Sequence, residues 1–145
     1  MRLMPYGLRT ALLLVLLALP AAVSSGPALA APPDRSDLRH HTATQISRFL
    51  ASFYGDHGPT AYDRAYRVSQ VLKDKQAATP EVDVLLCSQN RPLDVGIGPV
   101  TVAQSAGVGW ATVTAHWSAD ATDTFTAYVR LDSLPIRLDD VICAG

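Results

Sequence analysis

The sequence predicts an α+β fold in which N-terminal helices pack on one face of a curved, four-stranded antiparallel sheet. Three observations carry this prediction. Between Ser36 and Lys75 the apolar residues recur with a helical period, and beyond Asn90 they alternate with a period of two. No helix-length segment separates the alternating stretches, which leaves antiparallel pairing as the way to join them. Helices first and a meander after them make a segregated layer structure rather than a wound α/β one.

Residues 31–36 are Pro-rich and polar and are expected to form a flexible entry, after which Ser36 or Asp37 caps the first helix. Ile46, Phe49, Leu50, Phe53 and Tyr54 stand at i, i+3, i+4, i+7 and i+8, so they form one stripe facing a core. Gly55 ends that helix. Asp56-His57-Gly58-Pro59 is a tight connection, and Thr60 with Asp63 makes a capping box for a second helix. Along it Tyr62, Ala65, Tyr66 and Leu72, broadened by Ala61, Val68 and Val71, are expected to face the core, with Arg64, Arg67, Lys73 and Lys75 in solvent. Thr79 and Pro80 suit the start of a short third helix reaching Cys87, although Val82, Val84, Leu85 and Leu86 fit a strand equally well.

Val95, Ile97, Val100 and Val102 then alternate, interrupted by Gly98-Pro99, which predicts a bulged or edge strand over 94–103. Over 109–118, Ala111, Val113, Ala115 and Trp117 point one way while Trp110, Thr112, Thr114 and His116 point the other. Over 124–131, Phe125, Ala127, Val129 and Leu131 oppose Thr124, Thr126, Tyr128 and Arg130, and a turn near 120–123 joins the two strands. A last strand carries Ile136, Leu138, Val141, Ile142 and Cys143.

The N-terminus predicts export. Arg2 and Arg9 precede the apolar run 11–19, Pro20 ends it, and small residues lead to Ala28-Leu29-Ala30, the order of a signal peptide over 1–30 cleaved after Ala30. A membrane-spanning helix needs about 20 apolar residues, and Pro20 interrupts sooner. The first cysteine is Cys87, far from the cut, so no membrane anchor is expected to survive cleavage, and residues 37–145 are expected to form a single secreted, extracytoplasmic domain. Cleavage removes two of the 12 basic residues and none of the 13 acidic ones, leaving 10 against 13 and a net charge of −3. A mildly acidic chain without a basic cluster lacks the phosphate-neutralising surface that nucleic-acid binding requires. In an oxidising compartment Cys87 and Cys143 are expected to pair, closing a loop worth about 4 kcal/mol in the chain-entropy model.

The order of elements resembles the nuclear transport factor 2-like (NTF2-like), or cystatin-like, superfamily. More narrowly, the stretch from Ile46 to Tyr54 ending in Phe-Tyr, the segment Leu85-Leu86-Cys87-Ser88-Gln89-Asn90 and the closing Ile136-Arg137-Leu138-Asp139-Asp140-Val141 are similar to the domain of unknown function 3828 family of exported bacterial proteins. The resemblance implies that any pocket lies between the concave sheet face and the helices, and it carries over no catalytic residue. The Gln-x-Val-x-Gly loop of cystatin-type inhibitors does not occur.

The one candidate pair for proton transfer is His116 as base with Tyr128 as donor, on the face that also holds Trp110, Thr112, Thr114 and Arg130. That polar face is ordinarily the wet side of a half-buried sheet. His40-His41 point apart if helical, His57 sits in a Gly-Pro turn, and Asp139-Asp140 face opposite sides of a strand, one of them expected to pair with Arg137 or to cap a turn. No nucleophile elbow, phosphate loop or metal-ligand spacing occurs, so neither cofactor nor metal is expected. The leading expectation is a secreted, non-catalytic module that binds an extracytoplasmic protein or small ligand, with Trp110, Thr114 and Arg130 as ligand-binding candidates. The alternative is a pocket enzyme of isomerase or dehydratase type using His116 and Tyr128, and a homodimer joined through its sheets is the structural reading.

Overall fold

The computed structural model describes residues 40–144. The predicted signal over 1–30, the polar entry over 31–36 and the caps at Ser36 and Asp37 lie outside the described residues. Helices α1 (Ala43–Tyr54), α2 (Ala61–Tyr66) and α3 (Gln70–Ala78) precede strands β1 (Asp94–Ile97), β2 (Thr101–Ala103), β3 (Val108–His116), β4 (Thr122–Arg130) and β5 (Leu138–Cys143). All strand pairs are antiparallel, in the order β1-β3-β4-β5 with β2 also on β3, which is the predicted α+β layering. Two details differ: the sheet has five strands rather than four, and it is not strongly curled. The extra strand comes from Gly98-Pro99, because proline has no N–H to donate to the ladder. β1 therefore pairs with residues 113–116 of β3 and β2 with residues 108–110.

α1 begins at a capping box, in which the Thr42 amide donates to Gln45 Oε1 at 2.8 Å and the Gln45 amide to Thr42 Oγ1 at 3.3 Å. His40 and His41 thus precede the helix instead of lying on it, and the His41 amide donates to Leu131 O at 2.9 Å. Ile46, Phe49, Leu50, Phe53 and Tyr54 are all buried, each contributing roughly 1.5–3 kcal/mol before chain entropy. Tyr54 lies edge-on to Phe53 at 5.1 Å and 5.7 Å from Phe125, and its hydroxyl donates to Leu85 O at 3.2 Å. Burial pushes that phenol well above its ordinary pKa and keeps it neutral. Gly55, with φ of +51°, closes the helix by donating its N–H to Ala51 O at 3.0 Å.

The predicted second helix is broken in two. Thr60 and Asp63 form the expected capping box, but the chain leaves helical geometry after Tyr66. Val68 bridges to Leu138 in parallel, with the Leu138 amide donating to Arg67 O at 2.9 Å and the Ser69 amide to Leu138 O at 2.8 Å. Ser69 then caps α3, donating its hydroxyl to Asp139 O at 2.9 Å while accepting the Leu72 amide at 3.2 Å. The break turns the predicted stripe around. Tyr62 and Tyr66 are each 66% exposed and pack on one another at 5.0 Å, Val71 is exposed too, and only Val68 and Leu72 reach the core. Arg67, expected in solvent, holds its guanidinium carbon 4.8 Å from the Phe49 ring centroid and pairs with Asp63 at 2.8 Å.

Residues 80–87 form neither helix nor strand, because side chains take the backbone groups that either would use. Gln76 accepts the Val84 amide at 3.0 Å and donates to Val82 O at 2.8 Å, and Asp83 Oδ1 accepts the Leu85 amide at 3.0 Å. The resulting turns bury Val84, Leu85 and Leu86. They also bring Cys87 to Cys143, whose disulfide spans 56 positions and ties this segment to the end of β5.

Helix α1 presses on the sheet at Gly109 of β3, where a β-carbon would fall 2.5 Å from Ile46 Cδ1. Gly109→Ala is therefore expected to lower stability by about 1–3 kcal/mol. Ile46→Val removes the opposing methyl and alone is expected to lower it by about 0.5–1.5 kcal/mol. Combined, the two substitutions should destabilise by less than their sum in urea denaturation, and strict additivity would show that α1 does not press on β3 there.

Candidate functional site

β3 and β4 sort their side chains by alternation. Ala111, Val113 and Ala115 of β3 and Phe125, Ala127 and Val129 of β4 are buried against the helices, together with Leu131. The opposite face is exposed at Thr112, Thr124 and Arg130 and half-buried at Trp110, Thr114, His116, Thr126 and Tyr128, and it carries every site candidate named from the sequence.

Register decides which of those candidates meet. Trp110 stands directly across from Tyr128, their ring centroids 6.1 Å apart and tilted by 30°. Thr101 of β2 lies on the other side of Trp110, and Asp140 of β5 on the other side of Tyr128, so one row crosses four strands as Thr101, Trp110, Tyr128 and Asp140. The next rows are threonine pairs: Thr112 faces Thr126, and Thr114 faces Thr124. An offset aromatic pair beside rows of hydroxyls offers apolar area with hydrogen-bonding groups around it, an arrangement suited to binding.

His116 is not part of this cluster. It pairs with Thr122 and Asp94 at the far end of β3, six positions from Trp110, which at about 3.3 Å per residue is ~20 Å from Tyr128. His116 and Tyr128 share a face, as predicted, but they do not converge on a reacting atom. Thr114 stands four positions from Trp110, on the way to His116.

Arg130 is next to Tyr128 on the same face, across from Val108, and its guanidinium donates to Asp132 at 3.2 and 3.3 Å. The hydrogen bond and charge of Arg130 hold the Asp132 carboxyl below its usual range, and the same bond and charge raise Arg130. Asp139, at the edge of the same cluster, shifts upward: desolvation outweighs the pull of Arg130, and the charges of Asp140 and Asp132 add to it. Asp140 makes its ion pair with Lys75 at 2.9 Å instead of with Arg137, because α3 runs along β5. Thr101 was not marked out by the sequence and Asp140 was weighed only beside Asp139, since both join the aromatic row through strand register alone. Searches against family models, curated proteins and solved structures find no match to this chain.

The two faces should respond differently to truncation. Trp110→Ala, half-buried on the other face, is expected to shift the urea midpoint by the equivalent of about 1–2 kcal/mol, less than a core truncation. Phe125→Ala, on the covered side, should lose about 3–5 kcal/mol. Equal losses at the two positions would mean that the Trp110 face is covered as well.

Proposed function

We propose that this protein is a secreted, non-catalytic binding module that holds an extracytoplasmic protein or small ligand on its open sheet face. The observation that carries the reading is the Trp110–Tyr128 pair, side by side on a face that the helices leave bare. Aromatic side chains give contact area with little loss of side-chain freedom, and Trp and Tyr dominate binding energy where they are central to an interface. Thr112, Thr126 and Arg130 would supply the polar rim, with Thr114 further along the strand. The Cys87–Cys143 disulfide supports placement in an oxidising compartment, and among the described residues no helix is long and apolar enough to cross a membrane.

The helices-then-meander order also supports the proposal of an NTF2-like architecture close to the domain of unknown function 3828 family, the weak curl of the sheet being the feature that departs from it. A sheet that curls little makes a platform rather than a cone, which favours binding on its surface over enclosure.

The test uses the chain over 31–145 in its oxidised form, immobilised beside a Trp110→Ala/Tyr128→Ala double variant, and exposed to soluble oligosaccharides and to the native secreted fraction. The wild type is expected to retain a specific species that the variant binds at least about tenfold more weakly, a loss typical of interface anchors. Melting temperatures should agree within a few degrees. Equal retention by both proteins, or no retained species, would refute the reading.

A further inference from the structure

On the helix side of the molecule, away from the aromatic row, the 57–60 connection, the start of α2 and the segment 83–91 enclose a cleft of about 540 Å³. That volume lies within the ~300–1,000 Å³ range of small-molecule sites. Pro59 and Leu86 give it apolar wall, Gln89 and Asn90 bring side-chain amides, and Arg64, Arg91 and Asp83 are its charged groups.

Both guanidinium groups bond to the backbone of one connection, Arg64 half-buried and Arg91 exposed. Arg64 Nε donates to Pro59 O at 3.2 Å, and Arg91 Nε to His57 O at 3.2 Å. Arg64 also places Nη2 on Asp83 Oδ2 at 2.5 Å, while Asp83 Oδ1 accepts the Leu85 amide at 3.0 Å, so both oxygens of that carboxylate are occupied by the fold. Arg64 Nη1 and both Nη atoms of Arg91 make no hydrogen bond among the described residues. The connection that orients them is itself held: at Gly58, with φ of +89°, a β-carbon would come within 3.0 Å of Leu86 Cδ1.

Two oriented arginines against one internally satisfied aspartate leave a net positive cleft on a chain whose overall formal charge is −1. Guanidinium groups recognise planar or tetrahedral oxyanions through paired donors, and orienting them beforehand lowers the entropy lost on binding. The space exceeds what an inorganic oxyanion fills, and the amides of Gln89 and Asn90 offer partners for more of a ligand than its charge.

We propose that this cleft binds a small organic oxyanion, a carboxylate or a phosphate, with Arg64 and Arg91 on the charged group and Gln89 and Asn90 on its polar body. The site is distinct from the sheet face and stands or falls independently of it. Arg91 is the residue to change, since its guanidinium supports only one backbone carbonyl, whereas loss of Arg64 would strand Asp83.

The experiment is calorimetric titration of the oxidised chain with citrate and with inorganic phosphate in a low-salt buffer, repeated with Arg91→Gln and, as a control for general charge, with Arg48→Gln on the exposed side of α1. At least one probe is expected to bind, about tenfold more weakly to Arg91→Gln and within about twofold of wild type to Arg48→Gln, as loss of a charge-assisted contact predicts. Preference for citrate assigns a carboxylate ligand and preference for phosphate a phosphorylated one. Absence of binding by either probe, or equal weakening by the two substitutions with melting temperatures unchanged, would overturn the proposal.

Discussion

The structure depends on the alternation of β3. This strand pairs with β1 and β2 along one side and with β4 along the other, so its period of two is imposed on most of the sheet. Its covered side is built from Gly109, Ala111, Val113 and Ala115, all small, and α1 lies so near that Ile46 occupies the space a β-carbon at 109 would need. Larger residues on β4 and α1, Phe125 against Tyr54 and Phe53, fill what the small ones leave. Close packing of this kind lets a short chain form one core, since small and large side chains interdigitate across the layers.

From that sorting follows the open face. Residues excluded from the core by parity, Trp110 and Tyr128 among them, are presented side by side with the threonines, and β5 is kept from further pairing by the helix layer. Along β5 the Ser69 hydroxyl reaches Asp139 O at 2.9 Å and Lys75 Nζ reaches Val141 O at 2.7 Å. These bonds occupy carbonyls of an edge strand that would otherwise recruit another chain. The disulfide adds a covalent tie at the same edge, between Cys143 and the turns that precede β1.

What could be read from the sequence was what is local. The stripe of α1, the Thr60–Asp63 cap and the two faces of β3 and β4 depend on neighbours within four positions, and each is found where periodicity put it. The capping box of Thr42 and Gln45, which starts α1, was passed over because Ser36 and Asp37 drew the reading of a cap further up the chain. The break at Arg67–Ser69 was hidden because it is made by Leu138, some 70 positions along the chain, whose backbone captures Arg67 O and the Ser69 amide. Once the helix breaks there, Tyr62 and Tyr66 turn outward and Arg67 covers Phe49 with its guanidinium, a reversal that no moment over a continuous helix would reveal. In the candidate site, parity correctly put His116 and Tyr128 on one face, yet register separates them. That register is set by the turn after His116, where the Trp117 amide donates to Ala121 O at 2.8 Å.

The central claim is that adjacent residues of one strand live in two environments, covered and open. Solution NMR with a soluble gadolinium chelate reads this residue by residue through the broadening of methyl signals. The methyls of Thr112, Thr114, Thr124 and Thr126 should broaden strongly as chelate is added, while those of Ala111, Val113, Ala115, Ala127 and Val129 between them stay sharp. Uniform broadening along β3 and β4, or protection of the threonine methyls equal to that of their alanine and valine neighbours, would contradict the account.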